Sequence, residues 1–239
     1  MKRAKTRTQR ALMVVPAEGG DVAILTRRDR RARRMTLRID AANDRAVLVL
    51  PTWVPMSEGL RFVRAKARWM KEKLDSLPPR ERFEDGACLT LFGAPVTIFH
   101  RDDLGAVVVR DGPRLYVGGP KDRVAQRIVT WLKAEARTRL AERSQAMAER
   151  LGKTVKRVSV RDSRTRWGSC AADGSLSFSW RLALAPDDVS TYVVAHEVAH
   201  LVVMNHGPKF WRTVEALLPD HGHAKTWLSE NGVRLLRHG

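Results

Sequence analysis

The residues best suited to chemistry are His196, Glu197 and His200, inside the run Tyr192-Val193-Val194-Ala195-His196-Glu197-Val198-Ala199-His200-Leu201-Val202-Val203-Met204-Asn205-His206. Residues four apart share one face of an α-helix, so His196 and His200 can offer two imidazole nitrogens to one metal ion. Glu197 follows the first of them, which places its carboxylate beside the metal, where a general base for an activated water belongs. The rest of the run is apolar, and three ionisable groups in a buried helix need a partner such as a metal. His206 follows His200 by six positions, the offset of the third ligand in the HExxHxxGxxH pattern. Val203 stands where that pattern has its turning Gly, so the helix is expected to stop at Met204-Asn205, ahead of Gly207-Pro208. Three protein ligands leave one tetrahedral position of a zinc ion open, the arrangement of a catalytic site. Glu215 is a rival third ligand, since some HExxH enzymes take a carboxylate from a later helix.

The elements that must position this constellation can be read from the pattern around it. Residues 158–170 and 175–184 have strand character with turn residues between them, which predicts an antiparallel hairpin feeding the helix, with Asp187 as its N-cap. One edge of such a hairpin can pair with an extended peptide and lay a scissile bond over the metal. Arg164, Arg166, Tyr192 and His221 are candidates to bind substrate or steady an oxyanion. His221 and His223, in a polar loop, read more simply as surface residues. A long helix is expected over about 121–151, ended by Gly152, and an amphipathic one over about 57–77, ended by Pro78-Pro79. Short strands at 21–26, 35–40 and 45–50 suggest an antiparallel meander, and further strands are expected at 88–92, 96–100, 106–110 and 114–117.

The whole chain bounds these readings. Its 239 residues suffice for one large or two small domains, and 29% charged with 44% hydrophobic residues is the composition of an ordered globular protein. Two Cys, Cys88 and Cys170, are too few for a disulfide framework and fit a reducing, cytoplasmic setting. No apolar run reaches the ~18 residues of a membrane span. Residues 1–20 read as a flexible basic lead, residues 21–120 as a β-rich region with one amphipathic helix, and residues 121–239 as the catalytic domain. The formal net charge of +18 implies attraction to nucleic acid, nucleotides or acidic proteins, although no helix-turn-helix, finger or ribonucleoprotein signature accompanies it.

The segments Arg164-Thr165-Arg166-Trp167-Gly168-Ser169-Cys170, Trp180-Arg181-Leu182, Pro186, the HExxH run and Asn205-His206 with Phe210-Trp211 resemble the YgjP-like metal-dependent hydrolases, which are related to the SprT and WLM metallopeptidases. The resemblance covers nearly the whole chain. It implies an α+β fold with a β-rich N-terminal region before a zincin-like domain, His196, His200 and His206 as ligands of one zinc ion, Glu197 as the acid/base, and a peptide or protein substrate. Two other functions fit the residues. One is a metal-dependent nucleoside triphosphate pyrophosphatase, with Arg161, Arg164 and Arg166 on phosphate oxygens. The other is a basic nucleic-acid-associated protein with a structural zinc.

Overall fold

A computed structural model describes residues 10–239, which form a mixed α+β structure of two compact units meeting in sequence at Pro78-Pro79. The boundary expected at residue 120 therefore moves. Residues 79–120 belong with the second unit, because their apolar side chains share one core with the long helix that follows. The part of the expected mobile lead at residues 1–9 lies outside the described residues. The remainder is corrected: Arg10–Val15 is a strand, β1, with Val15 buried.

In the first unit β1 pairs antiparallel with β2 (Val22–Asp29), and β3 (Thr36–Asp40) with β4 (Arg45–Pro51). The sheet order is β1-β2-β4-β3, and β2 and β4 run parallel, so this is not the simple meander the strand spacing suggests. The reason is visible in β4, whose residues Ala46 to Pro51 are all buried. An unbroken apolar run belongs in a central strand covered on both faces. The expected single helix is two, α1 (Met56–Ala65) and α2 (Ala67–Asp75), because the Lys66 N–H bonds one residue short, to the Val63 carbonyl at 3.0 Å, and the helix kinks there. Val63 and Met70 enter the core with Ile24, Leu48 and Leu50. Gly59 lets α1 approach, since a Cβ there would lie 2.9 Å from Leu50 Cδ2.

The second unit opens with the same strand plan. β5 (Cys88–Leu91) pairs with β6 (Ala94–Arg101), and β7 (Val108–Asp111) with β8 (Arg114–Gly118), in the order β5-β6-β8-β7 with β6 and β8 parallel. Helix α3 (Val124–Arg150) follows, burying Val124, Ile128, Leu132, Ala136 and Leu140 at steps of four. It ends as expected at Gly152, where φ is +62° and the N–H groups of Gly152 and Lys153 bond to the carbonyls of Glu149 and Ala148.

The hairpin expected before the metal helix is more elaborate. β9 (Arg157–Arg161) and β10 (Gly168–Cys170) are separate strands on opposite sides of β11 (Ser175–Ser179), in the order β10-β11-β9, with β9 parallel to β11 and β10 antiparallel. Residues 162–167 leave the sheet because Asp162 is engaged by Arg164 and by the buried Arg181, an ion pair that draws the loop down onto the Trp180 ring. The second arm stops at Ser179 and becomes a 3-10 turn, Trp180–Leu184. Three helices complete the unit: α4 (Asp187–Ala199), α5 (Pro208–Leu217) and α6 (Gly222–Leu235). Among the described residues no helix is long and apolar enough to cross a membrane.

Candidate metal centre

Helix α4 carries His196 and Glu197 in its last turn, and His200 caps it. The cap is Pro186 rather than the expected Asp187. Asp187 instead occupies the first turn, its carboxylate gripped by Arg143 Nη2 at 2.6 Å to both oxygens and by Arg139 at 3.0 Å. A carboxylate there also favours the positive end of the helix dipole, so α3 holds α4 by its N-terminal turn.

The helix ends at Ala199, earlier than the turn expected at Met204-Asn205. The N–H groups of Val202 and Val203 both return to the Ala199 carbonyl, and the ring of His200 takes part, with Nδ1 3.0 Å from the Val203 carbonyl. A carbonyl can only accept, so Nδ1 carries the proton and Nε2 is left with a lone pair. The early turn brings His206 back over the helix, with its Nε2 3.1 Å from His196 Nε2. One ring nitrogen from each of His196, His200 and His206 lies within 4.8 Å of the other two.

Phe210, the first buried residue of α5, fits between these rings, with its centroid 4.9, 4.6 and 4.7 Å from those of His196, His200 and His206. Burial and the neighbouring His200, His206 and Lys225 push the His196 pKa down to about 4, and burial lowers that of His200. The His196 and His200 rings therefore stand neutral at pH 7, the form in which an imidazole can bind a metal. The span between His196 and His206 nitrogens is close to the roughly 3.3 Å that two ligands at ~2.0–2.1 Å subtend across a tetrahedral ion. Three converging imidazole nitrogens, with the His200 tautomer set by its backbone contact, fit a divalent metal of the zinc type.

Glu197 is 6% exposed, and burial pushes its pKa up to about 7 against the opposing pull of Arg166 and the Cys170 backbone N–H. Its carboxylate lies against β10: a Cβ at Gly168 would meet Glu197 Cγ at 2.5 Å and Oε1 at 2.6 Å. Of the other residues singled out from the sequence, Arg166 is exposed and electrostatically coupled to Glu197, whereas Arg164 is occupied with Asp162 at 3.3 Å. Tyr192 is buried, its ring 6.1 Å from that of His196. Cys170 stands outside the histidine cluster, and Glu215 turns away to His221 Nδ1 at 3.0 Å.

His221 corrects an expectation. Its side chain is 15% exposed and stacks between Tyr192 (5.7 Å, 3°) and Trp211 (6.0 Å, 7°), forming a wall beside His196, while His223 does lie at the surface. Neither this wall nor the role of Phe210 follows from local spacing. The one signal in the sequence is the apolar step Phe210, Val214, Leu217 starting four residues after His206.

An HExxH helix closed by a third histidine defines a class of metal-dependent hydrolases. The family model described as YgjP-like, metallopeptidase domain, matches residues 33–231, and the chain belongs to that family. The match runs across both units. No curated protein and no solved structure matches the chain.

Proposed function

We propose that the chain is a zinc-dependent peptidase of zincin-like design, with His196, His200 and His206 holding the ion and Glu197 as general base. The observation that carries this reading is the convergence of three histidine nitrogens within 4.8 Å beside a buried carboxylate. Zinc, when bound, supplies Lewis acidity, lowering the pKa of water and polarising a carbonyl. The chain's own part is to orient and to move protons. Glu197, buried beside the three histidines, is positioned to accept a proton from water and return it to the leaving amine. Arg166, exposed next to Glu197, is the side chain best placed to meet a substrate or oxyanion, and Tyr192 shapes the wall by packing.

A peptide substrate is favoured by β10. It is an edge strand, and residues 167, 169 and 171 spend their backbone groups on β11. The backbone groups of Gly168 and the Cys170 carbonyl therefore point to the open edge, while the Cys170 N–H is turned to Glu197. An extended peptide added there would run past the metal ligands. Cavities flank the strand at both ends. One of about 250 Å³ is lined by Arg164, Arg166, Trp167 and α6, and one of about 330 Å³ by Cys170, His200, Leu201 and Met204. Phosphoanhydride hydrolysis is less well served, because Arg164 is paired with Asp162 and Arg161 lies on β9, across β11 from the site.

The test compares the zinc-loaded chain with Glu197→Gln on unfolded proteins and on nucleoside triphosphates. Cleavage of peptide bonds that disappears in the variant while zinc is retained is the expected result. Turnover of nucleotides alone would replace this reading with the pyrophosphatase.

A further inference from the structure

The clustered histidines all belong to the second unit, yet the first unit holds 19 of the 44 Lys and Arg residues against 8 acidic ones. Its most exposed aromatic is Trp53, 72% accessible. An indole in water usually marks a mobile loop, but this loop is clamped. Pro51 to Val54 closes a turn through the Val54 N–H to the Pro51 carbonyl at 3.2 Å. Arg28 Nη1 reaches the carbonyls of Thr52 at 2.8 Å and Val54 at 3.0 Å, and Val54 is buried beneath. A guanidinium that could have stayed in water is thus used to hold Trp53 outward.

The strand order decides what surrounds it. β2 and β4 are parallel with Asp29 beside Pro51, and β3 flanks β4 on its other side with Thr36 opposite Val49. The segment from Arg30 to Met35 must cross the end of β4, where Thr52 and Trp53 emerge. That segment reads Arg30-Arg31-Ala32-Arg33-Arg34-Met35, and all four Arg are exposed with no ion pair among the described residues. The nearest acid in sequence, Asp29, is already paired with Arg27 at 3.1 Å.

We propose that this end of the first sheet binds single-stranded nucleic acid, Trp53 stacking on a base while Arg30, Arg31, Arg33 and Arg34 take neighbouring phosphates. A rigid aromatic platform bordered by unpaired cations is the minimal design for a strand whose bases are unstacked. Duplex bases already stack on each other and offer Trp53 no face. A lipid surface would ask for several exposed apolar groups beside the indole, whereas the chain flanking it offers Thr52 and a buried Val54, and the segment that crosses this strand end is rich in Arg. The proposal stands apart from the metal-site reading and survives or fails without it.

The experiment measures fluorescence anisotropy of labelled 12-nucleotide single strands, RNA and DNA, and of a duplex of the same sequence, against the full chain between 50 and 200 mM salt. Single strands should bind more tightly than duplex, with log affinity falling against log salt at a slope of about −3, the value for four phosphates on a single strand. Trp53→Ala should weaken binding roughly tenfold and leave the slope unchanged. Arg30→Ser with Arg33→Ser should lower the slope by about 1.4. Equal binding of duplex and single strand would overturn the proposal. So would a Trp53→Ala chain of unaltered affinity, or binding to phosphatidylserine vesicles with none to oligonucleotides.

Discussion

Gly168 and Glu197 approach so closely that a Cβ on the glycine would lie 2.5 Å from the glutamate's Cγ. The edge strand thus serves as a wall that aims the carboxylate, and a methyl group on that wall must displace it. Gly168→Ala should leave zinc content unchanged and reduce kcat by about 100-fold, since displacements near 1 Å cost that much in an oriented site. Single-turnover kinetics on a cleavable peptide, with metal analysis of the same sample, will show whether the loss lies in the chemical step. A variant of full activity would mean that Glu197 needs no such aim.

Burial of Glu197 has a sign that can be measured without substrate. In the metal-free chain its pKa of about 7 exceeds the ordinary carboxylate value, so its contribution to stability is present below about pH 4.5 and is lost as pH rises through 7. Glutamine at 197 removes the buried charge. Glu197→Gln in a chelator should therefore melt a few degrees above the parent at pH 8, on the order of 2 kcal/mol. The difference should shrink toward zero by pH 4.5. Calorimetry across that range would contradict the burial argument if the gap stayed constant.

His206 and Glu215 separate the two possible third ligands. His206→Ala should weaken zinc binding by more than about 100-fold in competition with a chromophoric chelator, a larger loss than supporting residues cause. Glu215→Gln should leave it within about tenfold, because Glu215 reaches the metal side only through the stacked His221. Inverted results would reassign the ligand.

Phe210 touches all three histidine rings and is fully buried. Phe210→Ala should cost about 3–5 kcal/mol of stability in the metal-free chain. Phe210→Leu should cost less and, by loosening the rings, still slow catalysis. Chemical denaturation and peptidase assays on both variants check the two effects separately.

The chemistry was more legible in the sequence than its surroundings. His196, Glu197 and His200 could be placed together because a helix maps a four-residue step onto one face, and His206 because a turn after such a helix reaches only so far. The long helix to Gly152 was legible for the same reason of period and stop signal. The parallel pairing of β2 with β4, the excursion of residues 162–167 around β11 and the stacking of His221 on Tyr192 and Trp211 were not. Each depends on contacts between distant segments, which local pattern does not encode. The end of α4 fell in between: it is set by the His200 ring on the Val203 carbonyl, a side-chain bond that no propensity records.

The division at Pro78 has a consequence for how the protein is made. The first unit is continuous in sequence and encloses its own core, while the clustered histidines begin at residue 196. At translation rates of about 5–20 residues per second, the ribosome needs on the order of ten seconds to travel from one to the other. The basic sheet thus has time to fold before the helix that carries His196 and Glu197 has been made.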